Sequence, residues 1–248
     1  MRQKNQLFKA VGIALLMASC GTMQSNHDNK MKEHMKIEEN AGGSYSVILL
    51  NIHNEEGYNS YRKKSTKFLK QSGGYIEREF DVMGHQGNIE EFEAPNRIVV
   101  ISWDSDKGHQ TLMNNHKYKD ISYLLKASSS NIRVVKGTSE MFQYSESNEG
   151  GRMYLIKMSY YRKNIPGRVA MLNEIGPNLV PYGFYTERMI MVNDAEGMDQ
   201  PDEFTVHFHD FAAQNDELKK DTAALNAIGT YNEKFLTQFV YIPLMLRN

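Results

Sequence analysis

Cysteine occurs once in the 248 residues, at Cys20, so the chain has no partner for a disulfide and no thiol cluster for a metal. An excess of one charge is missing too. Lys and Arg number 29 against 30 Asp and Glu, a formal net charge of -1, with no polybasic stretch and no acidic tail. That excludes the electrostatic footprint of a nucleic-acid binder. The one marked apolar run, Ala10 to Ala18, is too short to span a bilayer. A phosphate loop, a nucleophile elbow and a paired-carboxylate signature are likewise absent. The remaining bulk, 40% hydrophobic, is enough for one large domain or two of about a hundred residues each.

What is present begins with MRQKNQLFKAVGIALLMASC. Arg2, Lys4 and Lys9 form a positive start, the apolar run follows, and small residues precede Cys20, which reads as an export signal. The segment resembles a bacterial lipoprotein signal, in which the cysteine becomes the lipidated N-terminus. The expectation is a periplasm-facing cell-envelope protein, held to a membrane through Cys20. Several acyl chains at about 0.8 kcal/mol per buried CH₂ make a firm anchor. Residues 21–43 are polar and poor in large aliphatics, which predicts a flexible tether with room for a short helix between Lys30 and Asn40. His27 and His34 fall there at irregular spacing, a solvated linker rather than a metal trap.

From Ser44 onward the pattern occurs twice. YSVILLNI (Tyr45 to Ile52) predicts a strand; Tyr58, Tyr61, Ser65, Phe68 and Leu69 then recur at helical spacing, and Ser72-Gly73-Gly74 ends that helix. YIEREFDVM and RIVVISWD (Arg97 to Asp104) predict two more strands. Asp106 to Lys126 predicts a helix that breaks near Lys117, and NIRVVKG (131–137) a last strand. The second copy runs Arg152 to Tyr160, Pro166 to Leu179, Gly183 to Val192, Glu203 to Asp210, Ala212 to Ile228 and Lys234 to Ile242. APNRIVVISWD and QPDEFTVHFHD align without a gap. The fold class expected is α+β: two tandem ferredoxin-like β-α-β-β-α-β units, 44–137 and 152–248, joined by a linker over 138–151. Each unit alone leaves one sheet face bare, so the two should dock face to face as an intramolecular dimeric α/β barrel, monomeric as a chain.

The first copy carries Tyr58 and Tyr61 in its first helix, Gly73-Gly74 before its second strand, an Arg-aliphatic third strand from Arg97, and Tyr118 opening its late helix. In these features residues 45–137 resemble the bacterial dimeric α/β-barrel family called domain of unknown function thirteen-thirty. Where that family often has an Arg in the late helix, this chain has Leu125 beside Lys126. The resemblance implies the barrel fold and no particular reaction; relatives by fold include cofactor-free monooxygenases, isomerases and some haem proteins.

Candidate site residues follow from alternation along the third strands. In FTVHFH, Phe204, Val206 and Phe208 form one face and Thr205, His207 and His209 the other. Placing the wholly apolar face on the helices leaves Thr205, His207 and His209 inside the barrel, opposite Val99, Ile101 and Trp103, the only tryptophan. Two readings stay open: a pocket for a small apolar ligand, or a filled, hydrogen-bonded core. No metal and no cofactor is expected, because a third ligand for the histidine pair cannot be placed. His109 and His116, seven apart on a helix, share one face, the placement of haem ligands in some barrel relatives; the preferred reading is a surface histidine and a polar cap. Met153, Met158 and Tyr160-Tyr161 read as strand packing, and Lys63, Lys64, Lys67 and Lys70 as a solvated flank. Three functions remain: binding of a small apolar ligand, a cofactor-independent monooxygenase or isomerase with His207 or His209 as general base, and a structural interaction module.

Overall fold

In the computed structural model, which describes residues 35–37, 43–145, 152–209 and 211–247, each predicted helix and strand from Tyr45 onward is present, with shifted ends. The first half runs β2 (Gly43–Ile52), α1 (Glu55–Gln71), β3 (Gly74–Val82), a short β4 (Gln86–Gly87), β5 (Arg97–Trp103), α2 (Gly108–Asn114), α3 (His116–Ser128) and β6 (Ser129–Ser145). The second runs β7 (Met153–Tyr161), α4 (Arg168–Leu179), a 3-10 turn (Val180–Tyr182), β8 (Phe184–Glu196), β9 (Glu203–His209), α5 (Ala212–Leu218), α6 (Thr222–Phe235) and β10 (Leu236–Leu246). The signal and Cys20 lie outside the described residues. Within the predicted tether, Met35–Ile37 forms a strand, β1, on the outer edge of β6, where a short helix was allowed. The unpaired backbone at the end of β6 offers hydrogen bonds that an isolated helical turn cannot match.

Local chemistry explains the breaks. The Asn54 side chain accepts from Gly57 N to start α1, and Gly73, at φ 72, turns the chain out of it. The late helix, expected to break near Lys117, divides at Asn115, whose side chain accepts from Tyr118 N at 3.2 Å and starts α3. The corresponding helix of the second half divides at Asp221, which accepts from Ala223 N and Ala224 N.

The sheet is ten-stranded, and apart from β1 and β4 its order is β6-β2-β5-β3-β10-β7-β9-β8, with β8 returning to pair with β6. In each half the order is last, first, third, second. The halves therefore join edge to edge, through β3–β10 and β6–β8, and close a barrel with the helices outside. The two sheet faces meet in the barrel interior as expected, and the open edges pair as well, so closure buries faces and edges in one step. It also consumes the expected linker, since β6 runs past Gly137 to Ser145 and pairs with β8 as far as Phe142.

Register makes the halves comparable residue by residue. Trp103 pairs with Ser44 and Gly74, and His209 pairs with Met153 and Phe184. A bulge falls at Ile76/Arg78 in β3 and at Thr186/Arg188 in β8. Both bulged segments read Tyr-x-Glu-Arg, and their charges pair reciprocally. Arg78 Nε lies 3.2 Å from Glu187 Oε1, and Arg188 NH2 lies 2.8 Å from Glu77 Oε2. Such an exchange of partners is what a two-fold axis produces.

Three apolar clusters result. The barrel interior holds Tyr45, Val47, Phe80, Val100, Tyr154, Phe204, Val206 and Phe208. One layer outside it packs the first sheet half on α1–α3, with Val99, Ile101 and Trp103; the other packs the second half on α4–α6.

Candidate functional site

Between the first half of the sheet and α1–α3 lies a cavity of about 380 Å³. Ile48 and Leu50 of β2, Ile76 of β3, Val99 and Ile101 of β5, and Leu112 of α2 give it an apolar wall. Their spacing is the two-residue alternation of a strand face, which brings every second side chain under the helices. Polar groups enter from α1, α2, α3 and β8, including the charged Arg62, Lys126 and Glu196. Tyr61 of α1 and Tyr118 of α3, both buried, meet hydroxyl to hydroxyl at 2.7 Å. One hydrogen bond between two hydroxyls uses one proton, so whichever tyrosine donates, a second phenolic proton remains available. Burial raises both phenols above 10.0, so they stay protonated at neutral pH.

The floor of this site is held by Arg97, 3% exposed at the end of β5. Its guanidinium reaches Glu55 at 2.6 Å, Glu79 at 2.8 Å and Asp81 at 3.0 Å. Glu79 also takes Arg62 at 2.9 Å and accepts from the Tyr58 hydroxyl at 3.1 Å. Tyr58 and Arg62 both line the cavity, so this network fixes the α1 side of the wall.

At another point of the wall stands His109 at the start of α2. It lies edge-on to Trp103, with centroids 5.8 Å apart at 89°, and makes no hydrogen bond among the described residues. Burial, and then Lys136, hold its pKa below 6.5, with Glu196 and Asp194 acting against them. The imidazole is therefore neutral at pH 7. Glu196 belongs to the second half: the β6–β8 pairing carries it to the cavity wall, where Lys136 clamps it at 2.6 Å alongside Asp194 at 2.7 Å.

The second half treats the same positions differently. By register, Ile48, Ile76, Val99 and Ile101 correspond to Lys157, Thr186, Thr205 and His207. Four apolar lining residues are replaced by four buried polar ones. Lys157 Nζ donates to Asn232 Oδ1 at 3.1 Å beneath the rings of Tyr231 and Tyr241, and burial lowers its pKa to about 7. Thr205 donates to Glu203 at 2.7 Å. Glu203 stands where the first half has Arg97. Each reaches the first residue of the helix above, Glu203 to Arg168 at 3.5 Å and Arg97 to Glu55, so the same link is made with its charges reversed.

The predicted site residues are thus redistributed. Thr205, His207 and His209 face α4–α6, and Val99, Ile101 and Trp103 face α1–α3, so the six neither enter the barrel nor meet each other. The expected orientation is reversed because the closed barrel interior is itself dry and takes Phe204, Val206 and Phe208. When both faces of a strand are buried, an apolar face no longer identifies the helix side. His207 and His209 belong to a filled core. His207 Nδ1 meets Thr186 Oγ1 at 3.1 Å, His209 Nδ1 donates to the Tyr182 carbonyl at 3.1 Å, and Phe184 packs on both rings at 4.9 and 4.8 Å. Burial holds His207 well below 6.5 and His209 at about 4. Val99 and Ile101 do line a cavity, though a different one, while Trp103 sits behind His109 with Nε1 donating to Ser46 at 2.9 Å.

Tyr61, Tyr118, His109 and Glu196 were not among the expected site residues. Tyr61 and Tyr118 were visible only as part of the family pattern, and nothing local marks Glu196, which arrives through barrel closure. Among the described residues no group of three or more His, Cys, Asp or Glu is placed to hold a metal, and no helix is long and apolar enough to cross a membrane.

Solved structures share this architecture. An anthrone oxidase-like protein superposes with a TM-score of 0.56 at 11% identity, over 86% of this chain and 94% of that one. A chlorite dismutase variant from Candidatus Nitrospira defluvii gives 0.51 at 10%, over 82% and 91%. A second variant of that enzyme, in complex with cyanide, gives 0.51 at 11%, over 90% and 95%. At these identities the likeness is one of fold, a mixed α/β fold with an antiparallel sheet of the dimeric α/β-barrel kind. No curated protein matches the sequence. The first half, with its tyrosine pair and its cavity, is the segment that carries a family assignment: residues 43–138 match the family described as "Domain of unknown function (DUF1330)".

Proposed function

We propose that this chain is a lipid-anchored cell-envelope protein whose first half binds one small, largely apolar molecule carrying a hydrogen-bond acceptor. The observation that carries the reading is the cavity of about 380 Å³ with the Tyr61–Tyr118 hydroxyl pair in its wall. An apolar enclosure with few convergent polar groups is how proteins hold and orient small ligands. The unused phenolic proton selects for an acceptor. In this reading the two halves are tandem copies of one ferredoxin-like unit, and the chain works as a monomer because its partner is built in. The anchor rests on the segment ending at Cys20, and Cys20→Ser is expected to move the protein from the membrane fraction to the soluble one.

Binding is tested with the neutral fluorophore N-phenyl-1-naphthylamine. Its emission should rise saturably with the protein and revert for Leu112→Phe or Val99→Phe, whose added rings fill the cavity. A folded variant of either kind, by circular dichroism, that still binds the dye with unchanged affinity would overturn the site.

A second reading, a cofactor-independent monooxygenase or isomerase, is favoured by His109, a neutral imidazole with no hydrogen-bond partner among the described residues on the cavity wall. The general base expected at His207 or His209 moves there, since neither of those lines this cavity. The anthrone oxidase-like and chlorite dismutase structures are compatible with an enzyme, but shared fold does not carry chemistry across. A purely structural module would leave the cavity and its polar groups without a role.

A further inference from the structure

We propose that His109 and the Tyr61–Tyr118 pair together form a proton-transfer site that enolises an apolar ketone held in the cavity. The inference rests on the binding reading above and adds a reaction class to it. Two complementary groups open onto one enclosed space. The tyrosine pair keeps one O–H uncommitted, which suits a carbonyl oxygen; His109 keeps an imidazole nitrogen free, which suits a carbon-bound proton.

The step needs nothing else. The C–H bond next to the carbonyl breaks, its proton passes to the His109 ring, and the electron pair moves through the new C=C bond onto the carbonyl oxygen. There the phenolic O–H strengthens its hydrogen bond to the developing enolate, the kind of stabilisation that acts most in the transition state. Return of the proton to the same or a conjugated carbon completes exchange or isomerisation with no oxidant and no cofactor.

The surroundings favour both partners. His109 is held neutral by burial and by Lys136, against Glu196 and Asp194, so it is a base at pH 7. It is only half-buried, which lets its proton exchange with water, whereas Tyr61 and Tyr118 are deep and stay protonated. Glu196, clamped by Lys136, is a positioning residue from the second half: its charge favours the imidazolium formed in the step.

The test uses 1-indanone in deuterium oxide, with C2 deuteration followed by proton NMR and binding followed through Trp103, whose indole abuts His109. Saturable binding with C2 exchange above the buffer rate is expected. His109→Gln and the double variant Tyr61→Phe/Tyr118→Phe should each slow exchange at least tenfold while 1-indanone still binds. The wild-type rate should fall in acid with a midpoint below 6.5, the ordinary histidine value. Binding without exchange above buffer overturns the proton-transfer site and leaves the binding reading standing. Exchange undiminished in a folded His109→Gln overturns it as well. Failure of both 1-indanone and N-phenyl-1-naphthylamine to bind overturns the two readings together.

Discussion

At the scale of single residues, histidine shows how much placement decides. The chain has eight histidines, and the pair most conspicuous in the sequence, His207 and His209, is fully buried with one nitrogen of each satisfied and, among the described residues, no partner for Nε2 of either. His109, read from the sequence as a surface residue, is the histidine among the described residues that lines this cavity. The buried pair has a measurable consequence. The unfolded chain protonates these rings near 6.5, but the folded chain resists until about 4 at His209 and well below 6.5 at His207. The unfolded state therefore binds more protons between those values, and stability falls as pH drops from about 6.5 toward 4. Urea midpoints measured over that range should fall less steeply for the His207→Gln/His209→Gln protein than for the wild type. Parallel curves would show that the rings do not stay neutral in the fold. The comparison also removes the carboxylates that titrate in the same window, because they are common to both proteins.

At the scale of elements, the cavity depends on where helices stop and start. α2 and α3 are separated at Asn115, and the cap it makes to Tyr118 N sets the first turn of α3, which holds the Tyr118 hydroxyl against Tyr61. Loss of such a cap costs about 1 kcal/mol. Asn115→Ala should lower stability by about that amount in urea titrations and weaken N-phenyl-1-naphthylamine binding as well; full affinity in the destabilised variant would mean that the cap does not position Tyr118. Close packing is equally local at Gly74 and Gly108, where an added Cβ would stand 2.6 Å from the Trp103 ring. The sequence marked Gly73-Gly74 as a helix end, and the structure adds that Gly74 also makes room for the indole.

At the scale of the whole molecule, a barrel with a reciprocal pair of ion bridges has an asymmetric interior between its sheet and its helices. Lys157, Thr186, Thr205 and His207 fill in the second half what Ile48, Ile76, Val99 and Ile101 leave open in the first. One probe molecule per chain is therefore expected. Isothermal titration with N-phenyl-1-naphthylamine should give a stoichiometry near one, and two equivalents would show that the second half opens. The strand edges β3 and β6 are paired within the chain, with β10 and β8.

The order of elements and the alternation along the third strands were legible in the sequence, because they depend on local spacing and turn residues. Boundaries slipped where a long-range partner extends a strand, as β8 does for β6. The site was hardly legible. Alternation shows that Phe204, Val206 and Phe208 share a face and that His207 and His209 share the other, but not which face meets the helices. That choice belongs to closure of the barrel, which makes both faces dry and brings Glu196 of one half to the cavity of the other. The sequence by itself determined the order of helices and strands; only the tertiary structure decided which side of each strand became the wall of a cavity, because that depends on which edges pair.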